Sequence, residues 1–152
     1  MKIKREVYEK ILNSYPLVPP ENGGIIGCKD GIICKYFHDN SSNITDKAVY
    51  CPDVDTLNDI IDKWGECGVE FAGIVHSHRT DESSLSINDK EYIRSLFKVL
   101  PESMSKIYFP IVLPESKQFV SHLVIKGFDD ILYVEDVVRI VDKIKSDYLQ
   151  KR

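Results

Sequence analysis

The chain has 152 residues, a formal net charge of −4 and a hydrophobic content of 43%. That length can bury roughly two thirds of the unfolded surface, so no disulfide framework is required and a single domain spanning residues 1–152 is expected. Acids and bases are interspersed without the basic stripe of a nucleic-acid binder, and no run approaches the roughly 18 apolar residues of a membrane span.

In chain order, Ile3, Val7, Tyr8, Ile11, Leu12 and Tyr15 form an apolar stripe at helical spacing over residues 3–15. Pro16, Pro19 and Pro20 are expected to end that helix. Two apolar runs follow, Gly24–Cys28 and Ile32–Phe37, separated by Lys29-Asp30-Gly31. Asp-Gly between apolar runs predicts a hairpin, because both residues tolerate the left-handed conformation of a tight turn. Residues 39–46 read as a polar loop and Ala48–Cys51 as a short strand.

Val54, Leu57, Ile60, Ile61 and Trp64 mark a second helix, with Asp53 as its N-cap and Gly65 and Gly68 near its end. Phe71–Val75 is a continuous apolar run, as in a central strand, and leads into His76. Ile93, Leu96, Phe97 and Leu100 mark a third helix that stops before Pro101. Ile107–Leu113 and Phe119–Lys126 predict strands around a turn at Pro114–Lys117, and Ile131–Val134 another short strand. Val134, Val137, Val138, Val141, Ile144 and Tyr148 predict a C-terminal helix overlapping it. Helices alternating with strands, plus one hairpin, predict an α/β domain with a mixed sheet.

Most polar and reactive residues carry no pattern. The charged start Met-Lys-Ile-Lys-Arg-Glu-Val-Tyr is not a signal peptide, which points to the cytoplasm. Cys28, Cys34, Cys51 and Cys67 contain no Cys-x-x-Cys and are expected to be buried, reduced thiols. His38 and His122 fall in or beside strand candidates, where satisfied or solvent-facing histidines are the rule, and Trp64 fits a core stripe.

Residues 76–89 are different. His76 and His78 are at i and i+2, so a strand continuing through them points both imidazoles to one face. Ser86 and Asp89 resemble a capping box at the start of the third helix. A carboxylate in a first helical turn can also face a neighbouring strand end. Two imidazoles and one carboxylate then supply three ligands and leave the fourth tetrahedral position of a zinc ion to water. Hydrolysis at such a centre needs a general base, and Glu21, in Pro-Pro-Glu-Asn-Gly-Gly-Ile-Ile-Gly, is the candidate. Gly23 and Gly24 let the backbone approach its neighbours closely there.

Glu21 before Gly-Gly-Ile-Ile-Gly, then His76-Ser77-His78, Ser86 and Asp89 at their spacing, resemble the JAMM motif of the JAB/MPN metalloproteases, and the compact size is most similar to the prokaryotic branch. The resemblance extends to a leading helix, a hairpin after the glutamate and a helix beginning at the serine. It implies a single JAB/MPN domain of cytidine-deaminase-like architecture, a mixed sheet flanked by helices. It also implies one zinc ion per chain on His76, His78 and Asp89, Glu21 as base, and Ser86 as oxyanion donor. The implied activity is hydrolysis of a peptide or isopeptide bond after the C-terminal glycine of a ubiquitin-like or sulfur-carrier β-grasp protein. Arg79 departs from the family, which usually has proline after the second histidine, and is expected to contact substrate from one wall of loop 79–85. A non-catalytic MPN-like binding scaffold is the alternative, while the acidic balance disfavours chemistry on nucleic acid.

Overall fold

Asp30 and Gly31 both have positive φ, 54° and 76°, the pattern of a two-residue type I′ hairpin turn. They join strands β2 (Gly23–Lys29) and β3 (Ile32–His38), as the sequence predicts. The computed structural model describes residues 1–16, 21–39, 50 and 52–142. Apart from Tyr50 and Asp39, the expected strand at 48–51 and the 39–46 loop therefore lie outside the described residues.

The first helix is shorter than its apolar stripe. Ile3 belongs to a strand, β1 (Lys2–Lys4), and helix α1 runs only from Arg5 to Asn13. Ile3 is fully buried and pairs in parallel with Ile33 on one side and Ile140 on the other. Ladder bonds on both sides outweigh helical periodicity.

Helix α2 (Val54–Glu66) starts at Asp53, whose side chain accepts from the Thr56 N–H, as a helix N-cap does. It is followed by β4 (Glu70–Ser77) and α3 (Ile87–Val99). The single strand expected over Ile107–Leu113 is two, β5 (Lys106–Tyr108) and β6 (Ile111–Leu113). Pro110 interrupts it because proline has no N–H to give a ladder. Then come β7 (Gln118–Lys126), β8 (Ile131–Asp136) and β9 (Arg139–Val141).

The expected C-terminal helix is not formed over its described part. Val134 faces Leu123 across β7, and Ile140 faces Ile3 across β1. The valines matched a helical period, but β-branched residues suit strands, and two strands lacked neighbours without them. Residues 143–152 lie outside the described part.

The strands form one mixed sheet with the order β5-β7-β6-β4-β2-β3-β1-β9, and β8 on the outer side of β7. β8 and β9 lie at opposite ends of this path, yet only Val137 and Val138 separate them in sequence. A link that short spans at most about 10 Å, so the sheet must curl. It curls around α1, whose Val7 and Ile11 pack with Ile3, Ile26, Ile33 and Val75. The other face carries α2 and α3 over Ile25, Ile74, Ile107 and Val124. Central β4, paired on both sides, delivers its C-terminal end to the start of α3. Among the described residues, no helix is long and apolar enough to cross a membrane. Cys28, Cys34 and Cys67 are free thiols, but none is buried as expected: Cys28 and Cys34 are half-buried and Cys67 is exposed.

A candidate metal centre

The apolar run of β4 ends in His76 and Ser77, both buried. The extended backbone continues one residue past the strand, because the His78 N–H donates to the Val112 carbonyl at 3.1 Å. Both imidazoles therefore emerge on the same face, with ring centroids 4.8 Å apart. His76 is wedged against the Phe109 ring, also at 4.8 Å.

Asp89 reaches this point from α3. The capping box is present: the Ser86 hydroxyl accepts from the Asp89 N–H at 3.0 Å, and Asp89 Oδ2 accepts from the Ser86 N–H at 2.9 Å. Capping and convergence on the histidines coexist, since the same carboxylate serves both. Asp89 Oδ1 lies 3.1 Å from His76 Nε2, and Oδ2 lies 3.1 Å from His78 Nε2. The two Nε2 atoms are 3.0 Å apart.

These separations approach the ~3.3 Å edge of a tetrahedron with bonds of about 2.0–2.1 Å. The donor set also fits a cation. His78 Nδ1 donates to the Glu82 carbonyl at 2.8 Å, so a neutral His78 turns the lone pair of Nε2 toward the Asp89 carboxylate. Acceptor facing acceptor is unfavourable unless a proton or a metal ion lies between them. A second-nitrogen hydrogen bond to a carbonyl is also how ligating histidines are oriented. His76 Nδ1 is buried and has no hydrogen-bond partner among the described residues.

The same contacts tune the charges. Burial pulls the His78 pKa down, but hydrogen bonds to Asp89 and the Glu82 carbonyl, with the charges of Asp89 and Glu21, leave it raised. Burial would raise the Asp89 carboxyl, but its bonds to His76, His78 and the Ser86 N–H hold it well below the usual carboxylate range.

Glu21 is brought here by its neighbour. The Asn22 N–H donates to Ser77 Oγ at 2.9 Å, and the Ser77 N–H donates to the Asn22 carbonyl at 2.8 Å. The residue between the two histidines thus grips the residue after the glutamate. Glu21 lines a small cavity with Ser77, His78, Arg79, Asp81 and Glu115. A Cβ on Gly23 would sit 2.3 Å from the Tyr50 ring, and one on Gly24 2.2 Å from the Phe37 carbonyl oxygen. The glycines permit the close approach expected of them. Arg79 is exposed at this rim, whereas Ser86 is exposed at the start of α3 and does not line the cavity. His76, His78 and Asp89 form the group of potential metal ligands among the described residues. His38 bonds to the Tyr36 hydroxyl at 2.7 Å.

Two contributors escaped the sequence reading. Ser77 carried no assigned role, although its place between the histidines was a signal. His122 sits in an ordinary strand pattern and gave none. Its Nε2 donates to the Ser83 carbonyl at 2.7 Å, in the loop joining His78 to Asp89.

The fold is that of a JAB/MPN domain. A crystal structure of AF2198, a JAB1/MPN domain protein from Archaeoglobus fulgidus, superposes with a TM-score of 0.52 at 19% identity, covering 93% of this chain and 97% of that one. The solution structure of protein DSY2949 from Desulfitobacterium hafniense superposes with a TM-score of 0.66 at 16% identity, covering 93% and 94%. No protein-family model matches the sequence, and no curated protein matches it.

Proposed function

We propose that this protein is a JAMM-type zinc metallopeptidase. Its substrate would be a peptide or isopeptide bond after the C-terminal glycine of a ubiquitin-like or sulfur-carrier β-grasp protein. The observation that carries the reading is the convergence of two Nε2 atoms and one carboxylate, with Glu21 in the adjoining cavity.

His76, His78 and Asp89 would hold the metal. Zinc in such a site supplies an electrophile for the scissile carbonyl and lowers the pKa of water to about 7. Glu21 takes a proton from the attacking water as the C–O bond forms. It returns that proton to the leaving amine as the C–N bond breaks. The Ser86 hydroxyl accepts from the Asp89 N–H, which leaves its own proton to donate to the developing oxyanion. Arg79 lies beside the cavity and offers donors to the substrate backbone. A Gly-Gly tail needs little side-chain room, which suits so narrow a space.

The test is incubation of zinc-loaded protein with β-grasp proteins carrying C-terminal extensions, read by intact mass. Loss of the extension after glycine is the expected result. Glu21→Gln is expected to bind zinc as the wild type does and to lose cleavage by 10²-fold or more, as removal of a general base does (roughly 10²–10⁴-fold). Equal turnover by the two proteins on a verified substrate rules out the role of Glu21.

A further inference from the structure

We infer that His122 is a positioning residue for the metal centre, fixing the loop that carries the third ligand into place. This rests on reading His76, His78 and Asp89 as metal ligands.

The loop begins after His78 and ends at the Ser86 cap of α3. Two adjacent carbonyls in it are held by two histidines, one just past the end of β4 and one on β7. His78 donates to the Glu82 oxygen at 2.8 Å, and His122, from β7, donates to the Ser83 oxygen at 2.7 Å. His122 is buried, at 7% exposure, in a strand whose other polar residues at the ends are open to solvent. A buried imidazole N–H that finds a loop carbonyl fixes that loop against the sheet, because leaving either group unpaired is unfavourable. The loop's other bonds are largely its own: the Glu82 N–H donates to the Thr80 hydroxyl, and the Ser84 N–H to the Glu82 carboxylate. Those bonds shape the loop without fixing it to the sheet.

Asp89 lies in the first turn of α3, directly after the loop, so its distance from His76 and His78 depends on where the loop is anchored. The β7 backbone supports the other side of the site as well. The Phe109 N–H donates to the His122 carbonyl at 2.7 Å, and the Phe109 ring packs against His76. His122 therefore contacts the surroundings of two ligands, His76 through Phe109 and Asp89 through the loop. Groups that orient ligands in this way typically change metal affinity by 10–100-fold when removed.

The experiment compares His122→Gln, which keeps a donor near the position of Nε2, with His122→Met, which has similar bulk and no donor. Zinc affinity is measured by competition with a chromophoric chelator, and the chelator-stripped proteins are melted in parallel. We expect His122→Met to bind zinc roughly 10–100-fold more weakly than wild type. His122→Gln should stay within about threefold of wild type, both stripped variants melting alike. Wild-type affinity in His122→Met, or equal weakening in both variants, overturns the inference. Should His122→Met not fold, His122→Asn replaces it, since its shorter amide falls short of the carbonyl. A wild-type protein that takes up no zinc overturns the ligand assignment and this inference together, whereas a zinc-binding wild type matched by His122→Met overturns this inference alone.

Discussion

At the scale of single residues, the contact of His78 with Asp89 sets a sign for pH dependence. The folded-state pKa of His78 is raised, so in the metal-free protein its stabilisation is present below about pH 6.5 and is lost as pH rises through the folded value. Asp89 is depressed, so its stabilisation is present above about pH 4 and is lost as pH falls toward its folded value. The metal-free pair therefore contributes most between about pH 4 and 6.5. His38 acts in the opposite direction. Burial lowers its pKa, so its contribution grows as pH rises through about 6.5. Comparing wild type with His78→Gln cancels the His38 term. The difference in unfolding free energy between these metal-free proteins should be larger at pH 5.5 than at pH 8, by urea denaturation. A difference that grows with pH contradicts the arrangement. Zinc held as proposed would reverse the trend, because a proton competes for His78 Nε2, and its affinity should fall by roughly tenfold per pH unit on acidification below the His78 pKa.

At the scale of elements, the hairpin and the C-terminal segment show what a sequence can and cannot carry. The Asp30-Gly31 turn was legible because its requirement is local: two consecutive positive φ angles, which few residue pairs accept. A Cβ at Gly31 would meet nothing within 4 Å, so any cost of substitution there is backbone strain rather than packing. Gly31→Val should therefore destabilise the fold by about 1–2 kcal/mol in urea denaturation, while Gly65→Ala, in open space on a helix, should be neutral or slightly stabilising. Equal effects at both positions would contradict this account. The segment 134–141 was misread because its state is decided elsewhere in the chain. Its valines fit a helical stripe, but β7 and β1 each offered an unpaired edge, which no local window contains. Ile3 failed for the same reason, and Pro110 broke a strand that composition alone made continuous. The approach of His76, His78 and Asp89 to one another was legible only in combination: strand periodicity and helix capping are local rules, neither of which suffices alone, and the resemblance to the JAMM spacing joined them. Glu21 was legible only as a candidate, since its approach depends on the Ser77–Asn22 bonds between distant parts of the chain. His122 was not legible at all, because what it holds is a loop carbonyl, and a carbonyl leaves no trace in sequence.

At the scale of the whole molecule, the candidate site joins parts that the sheet alone does not hold together. His76 belongs to the central strand and His78 directly follows it, while Asp89 belongs to a helix lying on one face of the sheet. The strand ladders fix β4 against β2, β5 and β6, but the N-terminal turn of α3 meets β4 through side chains. A metal ion held by all three residues would act as a cross-link between layers, formed only in the folded state. Ligand binding of that kind adds about 4 kcal/mol when free metal is a thousand times its dissociation constant. For a chain of this length each kcal/mol moves the midpoint by about 2–4 °C, so zinc should raise the melting temperature by roughly 8–16 °C over the chelator-stripped protein. Asp89→Ala should abolish this rise. It also removes the carboxylate half of the capping box, so the stripped variant should itself melt a few degrees lower, by the roughly 0.5–2 kcal/mol that a helix cap is worth. Asp89→Asn separates the two effects: its amide oxygen can still accept from the Ser86 N–H, so it should retain most of the cap, yet it lacks the charge that holds a divalent cation between two imidazoles. A zinc-dependent rise of wild-type size in Asp89→Asn would mean that the cation is held elsewhere, and that the approach of α3 to β4 is a matter of helix capping alone.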